Sequence, residues 1–362
     1  MQIKMSQAHA GGNRQTNMDL LRILACVMVI MQHTAVNSYY AFGSGSRWLV
    51  CNFFEVLVRP DVPVFFMLSG SLFLNREKPV PASRLLRKNA LKLIIIYLVW
   101  TFFYAFVGGG AAGVDSLESL HAFLYQALMD RKYHMWFLPS MFSIYVCLPL
   151  LYHAVNGEDA RQEKTLEYAV VMFLVLNILI QTISSLGVSD SIIMTSIGSI
   201  YYFFGGYCGY FLLGAYVGRL DSDRFKTCHV VLAYVAVFLV HFGLSTAHAY
   251  HYQIASQFLY DSFSLPVCLE TVLLFILFQK MCRVNFPEWL RKVSCEVANC
   301  TLGIYVLHVY VLETIGTRTG GLLLQGHHTV ISIPVTVAAV FICSLIMVWV
   351  LRKIPFVGRW LV

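Results

Sequence analysis

The chain of 362 residues is 58% hydrophobic and only 12% charged, with a mean hydropathy of +0.67 and a net charge of +7. A soluble domain of this length carries about twice that share of charged residues, so the composition excludes an ordinary globular enzyme. The basic residues are spread over short loops, which is typical of membrane topology and argues against a nucleic-acid partner.

Several apolar runs are about 20 residues long, the length at which a helix crosses a bilayer. We predict an all-α integral membrane protein with about ten transmembrane helices. Residues 1–17 are predicted to be a flexible cytoplasmic N-terminus, and residues 18–362 a single transmembrane domain. The predicted spans are 18–40, 53–74, 89–108, 134–155, 166–187, 197–218, 228–249, 262–282, 299–316 and 329–351.

The loop charges predict the orientation of these spans. If the N-terminus is cytoplasmic, all but five of the 26 lysines and arginines fall in cytoplasmic segments. Lysine and arginine accumulate in cytoplasmic loops of membrane proteins. We therefore predict that both termini are cytoplasmic.

The first span carries Arg22 and His33, which lie eleven positions apart. This spacing is about three helical turns, or about 16 Å of rise, so both side chains are expected to face one groove. Ionisable groups inside a span are costly and normally face a protein interior or a watery cavity. The alternative is that Arg22 extends to the membrane interface and His33 is a hydrogen-bonded core histidine.

The second span enters from the outside through Arg59-Pro60-Asp61. Two charges beside a proline predict a helix whose outer end is broken, and broken helices within a membrane line cavities. An interfacial ion pair between Arg59 and Asp61 is the alternative.

Three cations precede the third span, namely Arg84, Arg87 and Lys88. The spacing i, i+3, i+4 places the three cations on one helix face, and arginine forks suit phosphate groups. Ordinary cytoplasmic positive charge, or binding of anionic lipid, would give the same pattern.

The fourth and ninth spans contribute further polar residues. His134 lies at the outer start of the fourth span, at the expected level of His33, and Trp136 beside it fits an interfacial aromatic belt. His308 is expected near the middle of the ninth span, with Glu313 further out. For His308, the alternative is a simple hydrogen bond between helices.

The remaining patterns predict packing or solvation. The sixth span carries two GxxxG spacings, which favour close helix contact, at Gly205, Gly209, Gly214 and Gly218. His248 and His251 lack an evident third ligand, and His327-His328 fits a solvated loop. The ten cysteines show no zinc-type spacing, so no metal is expected.

Five of these stretches together resemble the membrane-bound acyltransferase 3 family. The resemblance runs from about residue 18 to 351, nearly the whole chain. Within the family, the chain is most similar to the enterobacterial common antigen O-acetyltransferase type. The matching stretches are Arg22 to His33 preceded by Asp19, Phe65 to Gly70, Arg84 with Arg87, His134 to Leu138 with Met135 in place of a leucine, and Gly303 to His308.

The resemblance implies acetyl-CoA as the acyl donor. The cations expected to hold its phosphates are Arg22, Arg84, Arg87 and Lys88. His33 is expected to act as general base, with a covalent acetyl-histidine as a second route. The other residues expected to be catalytic are His134, Asp61 and His308, and those expected to bind the acceptor are Arg59, Trp136, Ser69 and Glu313.

The sequence therefore predicts a multi-pass O-acetyltransferase of the bacterial inner membrane. The expected partners are acetyl-CoA, a glycan or lipid-linked saccharide, and the lipid bilayer. The sequence leaves open whether the protein forms a homo-oligomer. Two other functions would also account for these polar residues. One is a transporter or flippase for a glycan or lipid intermediate, and the other is a structural partner in a polysaccharide-synthesis complex.

Overall fold

A computed structural model of the chain describes residues 15–39, 45–108, 116–156, 160–185, 206–319 and 329–361. Within these ranges all the regular structure is helical, and no β-strand occurs. A helix satisfies its backbone polar groups internally, as the hydrocarbon core of a bilayer requires. The predicted all-α membrane fold is confirmed.

We number the helices in chain order. They are α1 (Thr16–Tyr39), α2 (Ser46–Val58), α3 (Asp61–Leu74), α4 (Ala82–Val107), α5 (Leu117–Met129), α6 (Tyr133–Val155), α7 (160–185), α8 (Tyr207–Arg219), α9 (Thr227–Tyr252), α10 (Leu265–Lys280), α11 (Glu288–Arg318), α12 (Thr329–Leu351) and α13 (Pro355–Trp360). A π-helical turn interrupts α4 at Leu85–Ala90 and α7 at Leu174–Leu179, and α6 opens with a 3₁₀ turn.

Among the described residues, eight helical stretches are long and apolar enough to cross a bilayer. They are α1, α2 together with α3, α4, α6, α7, α9, α11 and α12. The other two predicted spans correspond to α8 and α10, which have 13 and 16 residues. The first part of the predicted span at 197–218 lies outside the described residues. A helix therefore occurs at each of the ten predicted positions, and the side on which the termini lie stays a prediction.

The second span differs from the expectation in where its break lies. The helical stretch runs over Ser46–Leu74, not from residue 53, and has 29 residues. Helix α2 has 13 residues and α3 has 14, with Arg59 and Pro60 in the turn between them. The predicted break is present, but it lies near the middle of the span and not at its outer end. Arg59 and Asp61 are therefore inside the bundle, where a broken helix must line a cavity.

The tightest helix packing joins α3 to α8, and glycines make it possible. A Cβ added at Gly70 would lie 1.7 Å from the Phe211 carbonyl oxygen, and one at Gly214 would lie 2.1 Å from that of Met67. Gly218 is equally close to Ser71. Small residues allow such close backbone approach between membrane helices. The predicted packing role is confirmed for the described glycines of α8, while Gly205 lies outside the described residues.

Helix α10 is shorter than α1, with 16 residues against 24. Asn17 donates to the Phe278 carbonyl oxygen at 2.9 Å, which places the start of α1 beside the end of α10. From that level, the outer end of α10 at Leu265 is about 20 Å away and His33 about 24 Å, at 1.5 Å per residue. The segment 253–264 precedes α10 and is held to α1 and α8 by hydrogen bonds from Tyr39 to Ser256 and from Tyr210 to Ser262.

Candidate active site

A cavity of about 130 Å³ lies between the helices, beside the segment 253–264. It is bounded by α1, α3, α6, α8 and α11, so every wall comes from a different part of the sequence. Ionisable side chains inside a membrane protein are expected at such interior cavities. The residues that line the cavity are Gln32, His33, Arg59, Asp61, Tyr133, His134, Trp136, Tyr207, Ser262 and Tyr305, together with the aliphatic Val29 and Val62.

His33 lines the cavity between two rings from other helices. The Tyr133 ring of α6 meets it edge-on at 4.9 Å, and the His308 ring of α11 stacks on it at 5.3 Å, both measured between ring centroids. Packing on both sides fixes the orientation of the imidazole. A histidine held in this way beside a cavity is well placed to accept a proton from a bound hydroxyl group.

His134 and His308 complete a group of three histidines. Their ring centroids are 5.2 Å apart, and both side chains are buried. Nδ1 of His308 lies 2.6 Å from the Tyr305 carbonyl oxygen. Because a carbonyl can only accept, Nδ1 carries the proton, and Nε2 of the neutral ring is an acceptor. Nε2 of His308 and both ring nitrogens of His134 have no hydrogen bond of normal geometry.

His308 does not line the cavity, whereas His33 and His134 do. The His308 ring lies behind the other two and contacts both. Its predicted catalytic role is therefore expected to act through His33 and His134, and not by direct contact with a substrate. His134 is different, because it lines the cavity itself and its ring nitrogens have no hydrogen bond of normal geometry, so a bound ligand can complete its hydrogen bonding.

The helix break places Arg59 and Asp61 in the cavity lining together with His33 of α1 and His134 of α6. Asp61 Oδ1 accepts the Val62 backbone N–H at 2.6 Å. With its amide assigned by the hydrogen-bond network, Gln32 donates to Asp61 Oδ2 at 2.8 Å and accepts from Arg59 at 3.2 Å. Gln32 precedes His33 in α1, so it links the broken helix directly to the histidine cluster.

Two residues outside the cavity lining hold the Arg59 guanidinium. Glu55, one turn earlier in α2 and fully buried, forms an ion pair with it. The Tyr260 ring lies under the guanidinium, 4.3 Å from its central carbon, which is a cation–π contact. Tyr260 in turn donates to Asn52. Arg59 is therefore fixed before any ligand arrives.

Aromatic rings form the rest of the wall. The Trp136 and Tyr207 rings are 4.9 Å apart, and Tyr207 stacks on Phe66 at 4.5 Å. Tyr207 donates to Ser262 at 3.1 Å, and Tyr305 donates to the His134 backbone carbonyl. Flat apolar faces beside hydroxyl groups suit a ligand that has both apolar and polar surfaces.

Arg22 lies on the same face of α1 as His33, as the eleven-residue spacing predicts. It is close enough to Tyr145 of α6 to interact electrostatically, while His33 contacts Tyr133 of the same helix, twelve residues earlier. Arg22 is half-buried and lies 3.6 Å from Asp19. The described cavity reaches Val29 and His33 but does not include Arg22.

The other predicted donor-binding cations lie further from the cavity. Arg84, Arg87 and Lys88 are exposed, and the last two lie in the π-helical turn of α4. None of them lines the cavity. Their exposure leaves them accessible to a large anionic ligand from the predicted cytoplasmic side, and π-helical turns are frequent at functional sites.

Ser69 and Glu313 were predicted to contact the acceptor, and neither lines the cavity. Ser69 is half-buried on α3, eight residues beyond Asp61, which is about 12 Å along the helix. Glu313 is half-exposed and forms an ion pair of 2.7 Å with Lys132, next to Tyr133. Glu313 is therefore at the rim of the site.

Among the described residues, no group of three or more histidine, cysteine or acidic side chains has a geometry that would hold a metal ion. His248 is hydrogen-bonded to Ser256 at 2.6 Å and stacked on Phe258. The pair His327-His328 lies outside the described residues.

The sequence analysis missed Glu55, Tyr260 and Tyr305. Glu55 had a usable signal, since an acid four residues before Arg59 inside a predicted span is an i, i+4 ion pair. Tyr305 lies within the stretch that carried the family resemblance. Tyr260 had no local signal, because only the folding of segment 253–264 into the bundle brings it to Arg59.

Comparison with known proteins gives one match. The family model of an acyltransferase domain matches residues 15–352, which span α1 to α12. No curated protein and no solved structure matches the chain. The closer resemblance to one O-acetyltransferase type therefore stays a prediction.

Proposed function

Since the chain belongs to the acyltransferase 3 family and is a membrane acyltransferase, we propose that it is an O-acetyltransferase of the bacterial inner membrane. The proposed donor is cytoplasmic acetyl-CoA, and the acceptor is a hydroxyl of a cell-surface or lipid-linked polysaccharide. The observation that carries the proposal is the meeting of His33, His134, Arg59 and Asp61 at one interior cavity.

The depth of the cavity supports transfer across most of the membrane. His33 lies about 24 Å from the start of α1, in a hydrocarbon layer about 30 Å thick. A donor with a nucleotide head on the cytoplasmic side and an extended arm can bring its thioester to that level. The nucleotide phosphates would be held by Arg22, Arg84, Arg87 and Lys88, all at the predicted cytoplasmic end.

The proposed reaction uses His33 as general base. The acceptor oxygen attacks the thioester carbonyl carbon while His33 takes the hydroxyl proton. The carbon–sulfur bond then breaks, and the proton passes from His33 to the departing sulfur, which leaves an ester and a free thiol. The reaction needs no net proton from solvent. An acetyl-His33 intermediate is the second route, and it would be detected as acetylated His33 after brief exposure to the donor.

The remaining polar residues have separate proposed roles. The negative charge that develops on the carbonyl oxygen needs a fixed hydrogen-bond donor, and the His134 ring at the cavity or the preorganised Arg59 guanidinium would provide one. Asp61 and Gln32 would orient the acceptor hydroxyl group beside His33. Trp136 would pack against the apolar face of a sugar.

The test is transfer of labelled acetyl from acetyl-CoA to surface glycan by purified protein in lipid. The His33→Ala variant is expected to lose transfer by about a hundredfold to ten-thousandfold, because it lacks the general base. His229→Ala is the matched control, since His229 is exposed at the start of α9 and away from the cavity. Normal transfer by His33→Ala, or absence of labelled glycan with the unmodified protein while glycan is exported, would refute the proposal and favour a transporter.

A further inference from the structure

The helix α5 stands apart from the membrane spans. It lies between the end of α4 and the start of α6 and has 13 residues. Residues that directly flank the helix form hydrogen bonds at both of its ends. Ser116 and Ser119 form a reciprocal capping box at the start, and the Asp130 backbone N–H donates to Gln126 at the end. The sequence therefore specifies a helix here and not a loop.

Four leucines of α5 form a ridge along one side, while the exposed Tyr125 and Met129 lie outside it. The ridge consists of Leu117, Leu120, Leu124 and Leu128, at spacings i, i+3, i+7 and i+11. All four are exposed, from 37% for Leu128 to 84% for Leu117. Among the described residues of this helix, only Ala127 is buried.

A helix with this burial is not stable in water by itself. Isolated helices shorter than about 12–15 residues are marginal even with favourable sequences, and tertiary packing normally provides the stability. Here the contact with α4 involves little burial, while the ridge stays uncovered. The ridge must therefore be covered by something outside the described chain.

The position of the ridge identifies what covers it. Helix α5 packs against α4, whose own outward residues include Phe106, 67% exposed, and Val107 at the end next to α5. Residues of a spanning helix that are apolar and exposed face lipid. Helix α5 therefore packs beside a helix whose exposed apolar residues face acyl chains, which makes the bilayer the expected cover of the ridge.

We propose that α5 is a membrane-surface helix whose leucine ridge lies in the boundary between lipid headgroups and acyl chains. An amphipathic helix of this kind lies in the membrane plane with its apolar face about 5–10 Å deep. The polar side carries Glu118, Ser119 and Gln126, and His121 lies at the edge of the ridge beside Leu128, so the helix has no cluster of basic residues. The partner is therefore the lipid surface itself, and binding does not require anionic headgroups.

This placement connects the bilayer to the catalytic cavity. Four residues after the end of α5, Tyr133 contacts the His33 ring, and the preceding Lys132 pairs with Glu313 of α11. A helix seated in lipid holds the start of this segment at a fixed depth. The proposal rests on the exposed ridge and not on the proposed reaction, so its test does not depend on acetyl transfer.

The test uses a photo-reactive benzoylphenylalanine at Leu124 in the full chain, reconstituted in nanodiscs of zwitterionic phosphatidylcholine. Gln126 is the matched control, because it lies about 160° around the same helix. After illumination, mass spectrometry counts phospholipid adducts. We expect several-fold more adducts at position 124 than at 126, and the same excess when anionic phosphatidylglycerol replaces part of the lipid.

Three outcomes would overturn the proposal. They are equal lipid adducts at both positions, adducts at neither position, and crosslinks from position 124 to a second copy in place of lipid. The pair Leu120 and Glu118 repeats the comparison if a variant at 124 does not fold. Catalytic activity of the variants is not the readout, so failure of the proposed acetyl transfer would leave this result unchanged.

Discussion

Arg59 is held on three sides within the membrane, by Glu55, Gln32 and the Tyr260 ring. A buried guanidinium is costly unless it is paired, and its partners fix its orientation as well as its charge. Catalysis by a preorganised charge depends on that orientation, because no energy is then spent on reorganisation during the reaction. Glu55 therefore matters to the site although it does not line the cavity.

The Glu55→Gln substitution is expected to lower kcat/KM for acyl transfer about tenfold to a hundredfold, because it removes a charged hydrogen bond to Arg59. In an Arg59→Gln background the same change should have little further effect, since the two residues act as one unit. Glu288→Gln is the control, because Glu288 pairs with Lys292 at the same i, i+4 spacing but both are exposed. Additive losses in the double variant would show that Glu55 does not act through Arg59.

The residues that sequence reasoning found in the cavity share one property. His33, Asp61 and His134 are ionisable or aromatic groups in apolar runs, where their cost indicates a function. Tyr260 shows the limit of this approach. Its contact with Arg59 joins residues 201 positions apart, and it depends on an irregular segment whose path no local pattern predicts.

At the scale of elements, the contact between α3 and α8 depends on backbone approach that only glycine permits. Gly70→Ala would place a methyl group 1.7 Å from the Phe211 carbonyl oxygen, which must force the helices apart. We expect a loss of about 1–3 kcal/mol or more in stability, measured as earlier thermal unfolding in detergent.

Gly243 is the control for this experiment. It lies in the middle of α9 with nothing within 4 Å of its added Cβ, so Gly243→Ala should be neutral or slightly stabilising. If Gly70→Ala unfolds at the same temperature as Gly243→Ala, then α3 and α8 are not packed as described.

The π-helical start of α4 carries the second prediction at this scale. Arg84→Gln combined with Arg87→Gln should weaken acetyl-CoA binding by at least about tenfold, because two charge-assisted phosphate contacts are lost. Isothermal titration of the protein in detergent gives the affinity. Lys226→Gln removes an exposed charge at the start of α9 and should change nothing. Unaltered affinity in the double variant would place the nucleotide elsewhere.

The elements themselves were largely predictable. Apolar length located a helix at each of the ten predicted positions, because spanning a bilayer imposes that length. The depth of the break at Pro60 was not predictable in the same way. Polar residues such as Ser46, Arg47 and Asn52 make the stretch before residue 53 look like a loop, yet they lie in α2, where Asn52 is buried against α9.

At the scale of the whole molecule, the cavity is assembled from α1, α3, α6, α8 and α11 and from the segment before α10. The sequence indicated several of its residues one by one, and the spacing of Arg22 and His33 indicated one face of α1. It did not show that His308 would lie behind His33, or that Ser262 of the segment before α10 would line the cavity. Both depend on how distant parts of the chain pack together.

The central claim is that donor and acceptor meet at His33 from opposite sides of the membrane. The most direct measurement is acetyl transfer in proteoliposomes of known protein orientation, with labelled acetyl-CoA on one side and glycan acceptor on the other. We predict transfer only when acetyl-CoA is on the side of the N-terminus, and none with His33→Ala. Transfer that requires acetyl-CoA on the opposite side, or that persists in His33→Ala, would contradict the account.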